Sequence, residues 1–158
     1  MRLFLGLMIA ASLPAQQAPP APKLFSSAAD VEKLIAEARA ERKDQPQITK
    51  RILSLAPYNA NLEYRASVGP ASVHETEAEV FYVIEGSATM ITGGKLTKET
   101  RTNPANLTGT GIEGGTPRPV AKGDFIVVPE ATAHWFSEIK ETLVLMTLHV
   151  PRPVPAAH

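Results

Sequence analysis

The pattern of apolar and polar residues changes several times along the chain. Residues 1–15 place Arg2 before the apolar run Leu3 to Ala11 and end on the small residue Ala15. A cation, a short apolar run and a small residue ahead of a polar break predict a signal peptide cut near Ala15. The run is too short to serve as a stable membrane anchor. Residues 16–26 carry Pro19, Pro20 and Pro22 among alanines, which predicts an extended linker. In residues 27–45 the apolar positions Val31, Leu34, Ile35 and Ala38 recur at helical spacing. Ser27 and Asp30 stand as a capping box before this stripe, Arg39, Arg42 and Lys43 suit the negative end of the helix dipole, and Pro46 closes it. The expectation is one amphipathic helix, packed on the main body or at a homodimer interface.

From Gln47 onward the period falls to two. Residues 47–150 read as short strands: 47–55, 62–68, 79–85, 88–92, 124–128, 133–138 and 142–150. Pro57-Tyr58-Asn59, Gly69-Pro70, Glu85-Gly86-Ser87, Gly93-Gly94, Lys122-Gly123-Asp124 and Pro129-Glu130 supply the turns between them. Residues 97–120 are polar, with Ile112 as the apolar pin of a long insertion or wandering hairpin. Many short strands with frequent turns predict an all-β barrel or sandwich. Pro151, Pro153 and Pro155 mark residues 151–158 as a tail that ends the last strand.

Composition narrows the function classes. The chain has 158 residues, enough for one sizeable core. Sixteen basic side chains balance sixteen acidic ones, which leaves no electrostatic footprint for nucleic acid. Cysteine is absent, so disulfides, thiolate metal sites and a cysteine nucleophile are excluded. The leader implies an exported protein, periplasmic or extracellular, which the absence of cysteine fits without requiring; the chemistry rests on histidines, carboxylates and hydroxyls.

Two segments carry those groups: Ser72-Val73-His74 through Glu79 to Gly86, and Gly123 through Pro129 and Ala131 to His134. Both resemble the two sequence motifs of the cupin superfamily, in the right order. Glu79 and Gly86 keep the spacing of the first motif, His74 occupies its second histidine position, and Ser72 stands at the first. Gly123, Pro129 and His134 match the second motif, with Ala131 in place of a glycine and Glu138 where asparagine is common. A register with His74 in the first position shortens the spacing to Glu79 by one residue. The resemblance covers residues 62–150 and implies a single small jelly-roll (cupin) barrel with one pocket between its sheets.

What the resemblance implies about the site agrees with ligand chemistry. Imidazole and carboxylate together suit first-row divalent metals, so His74, Glu79 and His134 are the expected ligands of Fe, Mn, Ni or Zn, with positions left open for substrate. Ser72, Phe81, Val83 and Phe136 are expected to line the pocket, its apolar wall strengthening electrostatics by excluding water. Tyr82 has outward parity. Either Tyr64 or Arg65 points inward and could anchor an anion. Glu75 and Glu77 read as solvated loop acids, and His149, in the last strand, as a structural histidine by default, with a replacement ligand as its alternative. The resemblance allows oxygenases, isomerases and decarboxylases and leaves the reaction class open. Ser72 keeps a second reading open, a barrel that binds a small ligand without metal or turnover.

Overall fold

The computed structural model describes residues 21–152. The expected signal peptide lies outside the described residues, as do most of the tail and the first part of the linker. Helix α1 spans Ala28–Glu41, and eleven strands follow it: β1 Gln47–Leu55, β2 Tyr58–Arg65, β3 Ala71–His74, β4 Glu77–Thr92, β5 Lys95–Thr97, β6 Thr100–Asn103, β7 Asn106–Gly109, β8 Gly111–Glu113, β9 Thr116–Ala121, β10 Phe125–Val128 and β11 His134–Pro151. The architecture is an all-β jelly roll with one helix on its flank. No helix among the described residues is long and apolar enough to cross a membrane.

The capping box forms as the sequence predicts. The Asp30 amide donates to the Ser27 hydroxyl and the Ser27 amide donates to the Asp30 carboxylate. The helix ends earlier than Lys43, which adopts a left-handed backbone (φ 48°) ahead of Pro46. Ile35 and Ala38 are buried against Ile52, Leu62, Tyr64 and Val144, with Val31 and Leu34 at the edge of the same cluster. Upstream, Lys23 exchanges backbone hydrogen bonds with Ser54 and forms a short bridge to β1.

Strand boundaries differ from the sequence expectation in an instructive way. β2 begins at Tyr58, directly paired with Leu55, because the turn is only Ala56-Pro57. Segments 79–85 and 88–92 form one strand, β4. Segments 133–138 and 142–150 likewise form one strand, β11, which runs through Pro151. The turn predicted at Glu85-Gly86-Ser87 and the gap between the segments at 139–141 are bends in a continuous ladder. β4 and β11 pair from His134↔Thr92 to Pro151↔Glu77, with register shifts between Phe136 and Glu138, Lys140 and Leu143, and Val144 and Leu145. Register shifts of this kind bend a strand and raise its twist. At the main corner Gly86 has φ 85° and Glu141 φ 63°. A Cβ on Gly86 would lie 1.9 Å from the Thr142 carbonyl oxygen, so no other residue fits.

The corner also divides the neighbours. β10 pairs with the first half of β4 and β9 with the second. On its other side β11 pairs with β2 through Leu143 to Leu148, and with β3 at His134↔Ser72. The polar insertion is more structured than expected. It contributes β5 to β8: β7 pairs with β3, β6 forms the sheet's edge beside β7, and β5 and β8 make a separate two-stranded ladder. The interior is filled by Phe81, Val83, Met90, Phe136, Leu143 and Leu145, none more than 2% exposed.

Candidate metal centre

The ladder's bend brings its two ends together at one mouth of the barrel. Glu79, the third residue of β4, is 4% exposed and sits at the centre of the group. His74, at the end of β3, places Nε2 3.3 Å from Glu79 Oε2, and His134, at the start of β11, places its own Nε2 3.1 Å from the same oxygen. The donor atoms of His74, Glu79 and His134 lie within 4.8 Å of one another.

Each of these imidazoles is oriented from behind. His74 Nδ1 lies 2.8 Å from Asn106 Oδ1, and His134 Nδ1 lies 3.2 Å from the Thr132 carbonyl oxygen. An acceptor at Nδ1 takes the ring N–H there, so a neutral ring keeps its Nε2 lone pair on the Glu79 side for an ion, the arrangement that metal-binding histidines favour, whereas a protonated ring donates from Nε2 to the Glu79 carboxylate. The separations suit an ion. Two ligands at about 2.1 Å from one metal lie about 3.0 Å apart at a right angle and about 3.4 Å apart at the tetrahedral angle. The donor set therefore fits a divalent first-row metal in both chemistry and spacing.

The electrostatics show how strongly the groups are coupled. Burial favours the neutral acid of Glu79, yet hydrogen bonds from His134 and His74 outweigh it and hold the carboxyl at about 2. Burial likewise opposes a charged His74. The Glu79 carboxylate and the Asn106 amide oxygen overcome that penalty and raise its pKa above the usual 6.5.

The second motif's substitution has a local cost. Ala131, at the position the resemblance assigns to glycine, adopts φ 55°. Its amide donates to the His74 carbonyl oxygen at 2.7 Å, which ties the turn before His134 to the strand carrying His74. A left-handed non-glycine residue costs about 1–2 kcal/mol, and this cross-link holds it in place.

The other expected site residues divide by role. Phe81 reaches within 5.9 Å of the His134 ring and floors the centre, Phe136 packs edge-on against Phe81 at 5.5 Å, and buried Val83 belongs to the same core. Ser72 is half-buried on β3, opposite His134 in the ladder. Arg65 is the inward member of its pair: its guanidinium lies 5.0 Å from the Phe136 ring centroid and bonds Glu63 at 2.6 Å. Tyr64 belongs to the cluster under α1, and Tyr82 stacks on Phe125 at 4.5 Å. Trp135 donates to the Gly69 carbonyl oxygen at 2.8 Å. Surface hollows of about 290, 450, 410 and 480 Å³ open elsewhere, and none of these four is lined by His74, Glu79 or His134.

One expectation is corrected and one alternative gains support. Glu77 is not a loop acid: it opens β4, and its Oε1 lies 2.8 Å from His149 Nδ1. His149, whose alternative reading is a replacement ligand, stands beside the site. Its Nε2 lies 3.4 Å from Glu79 Oε1 and its ring meets His74 edge-on at 4.7 Å. Asn106, in the polar insertion, and Thr147, a fully buried residue whose hydroxyl has no partner among the described residues, gave no signal in the sequence. An isolated Asn or Thr matches no spacing rule.

A jelly roll with imidazoles and a carboxylate gathered at one mouth is a barrel built around a small central site. The chain belongs to the cupin family, whose pattern matches residues 44–153. Among solved structures it is similar to KdgF from Halomonas sp., at 18% identity over 70% of this chain and 84% of that one, with a TM-score of 0.50. A protein of unknown function from Rhizobium leguminosarum bv. viciae 3841 aligns at 14% identity over 75% of this chain and 93% of its own, also at TM-score 0.50. At these identities the likeness is one of fold. No curated protein matches the chain.

Proposed function

We propose that this chain is an exported cupin that holds one divalent first-row metal through His74, Glu79 and His134 and binds a small organic molecule against it. The observation that carries the reading is the convergence of two Nε2 atoms on one buried carboxylate, each ring backed by an acceptor at Nδ1. A bound ion supplies Lewis acidity toward an oxygen-bearing ligand. The chain's own residues supply the rest. Phe81 and Phe136 keep water from the floor, which strengthens every interaction above it. The free Thr147 hydroxyl and the paired Glu63 and Arg65 lie on inward-facing positions of β11 and β2 and offer polar contacts to a ligand. An oxygenase, an isomerase and a decarboxylase are all compatible with this set. Export rests on the charged, apolar and small-residue pattern of residues 1–15.

Ser72, in place of a histidine, favours a second reading, a ligand-binding barrel without metal. Calorimetric titration of the folded protein with Mn²⁺, Ni²⁺ and Zn²⁺ separates the two. The proposal expects one ion per chain and its loss in Glu79→Ala. A folded protein that takes up none of the three overturns it in favour of the second reading.

A further inference from the structure

We infer that His149 is a fourth protein ligand of this centre, filling the vacancy left by Ser72, and that Glu77 is its positioning residue. The inference rests on the metal reading above and extends it to a strand end that neither motif contains.

The first support is placement. His134 and His149 lie on the same strand, and a straight strand of that span would separate them by about 50 Å. The bend at Gly86 and Glu141 folds the strand back on itself. His149 becomes the direct ladder partner of Glu79, and its Nε2 stands 3.4 Å from Oε1 while His74 and His134 share Oε2. Three imidazoles thus surround one carboxylate and use both of its oxygens.

The second support is the repeated backing of the rings. His74 has Asn106 behind Nδ1, His134 has the Thr132 carbonyl, and His149 has Glu77. The His149–Glu77 contact, at 2.8 Å, is out of line for a straight hydrogen bond, and Nδ1 has no other partner among the described residues. A small rotation of the ring aligns it, and binding of Nε2 to an ion supplies the reason to rotate. A carboxylate behind a ligating imidazole raises its basicity and holds its tautomer.

The donor atoms of His74, Glu77 and His149 also lie within 4.8 Å of one another, so a second ion between them is the competing arrangement. The two cannot coexist. His74 Nδ1 is held by Asn106, so only Nε2 is free, and one lone pair serves one ion. With Nε2 directed at Glu79, the group closes around a single metal, and Glu77 remains behind His149.

The test uses Co²⁺, whose absorption bands report ligand number, with titration calorimetry on the full folded chain. His149→Ala is expected to bind one ion about 10- to 100-fold more weakly, with an altered cobalt spectrum. His149→Gln, close in size, repeats the measurement should the alanine variant misfold. Glu77→Ala is expected to weaken binding about tenfold with the wild-type band shape retained; a merely structural Glu77 would leave affinity unchanged. Wild-type affinity and spectrum in His149→Ala overturn the inference while the three-residue centre stands. Two ions per chain in the wild type overturn it in favour of the second arrangement. A folded wild type that binds no Co²⁺ overturns the metal reading itself.

Discussion

The two ends of β11 face the same carboxylate from different surroundings. His134, at the start, is 7% exposed, rests on Phe81 and is backed by a main-chain carbonyl. His149, near the end, is 30% exposed and is backed by the Glu77 side chain. A main-chain acceptor moves only with the fold, whereas a carboxylate on a side chain can turn. The first end is therefore the rigid half of the site and the second the adjustable half. Rigid support fixes a ligand's direction, and an adjustable one lets the coordination shell open toward a bound molecule.

The largest effect should come from separating the two ends. Gly86→Ala drives a Cβ into the Thr142 carbonyl at a left-handed position, so a loss on the order of 4 kcal/mol or more is expected. Thermal melting reads it. An unchanged melting temperature would mean that the corner does not hold the ends together. Next is the rigid end itself. His134→Ala should lower metal affinity about a hundredfold or more, beyond the loss in His149→Ala, as measured by calorimetry. Equal losses would erase the distinction between the ends.

A smaller effect should follow from the brace on His74. Asn106→Ala removes the acceptor behind a ligating ring and should weaken binding about tenfold while melting changes little. The smallest is a gain. Ala131→Gly relieves the left-handed backbone ahead of His134, offset in part by the greater freedom of glycine in the unfolded chain. A net stabilisation of about 0.5–1 kcal/mol is expected by denaturant titration, with metal affinity unchanged. Destabilisation would show that the turn before His134 is not strained.

Much of this was legible along the chain. Ser27 and Asp30 signalled the helix start because a capping box is a local device whose partners are three residues apart. His74, Glu79 and Gly86 were readable because a strand's alternation and one corner set their spacing. Pro129, Ala131 and His134 were readable because one turn does. The polar insertion was harder: its strands are three to six residues long and only weakly apolar, so nothing announced that Asn106 would reach His74. Arg65 and Tyr64 could not be assigned to faces from parity alone. Packing decided it, by giving Tyr64 to the helix cluster and Arg65 to Phe136.

The sequence by itself determined the local geometry: period-two segments, the turns that allow left-handed residues, and the short spacings that put His74 near Glu79 and His134 after its turn. Only the tertiary structure decided that Glu85-Gly86-Ser87 and residues 139–141 are bends in a continuous ladder rather than breaks between strands. That decision placed His149 beside Glu79 and Glu77 behind it. The physical reason is range. Periodicity and motif spacing report interactions within a few residues, whereas the closing of a bent sheet depends on register shifts and pairing summed along two whole strands.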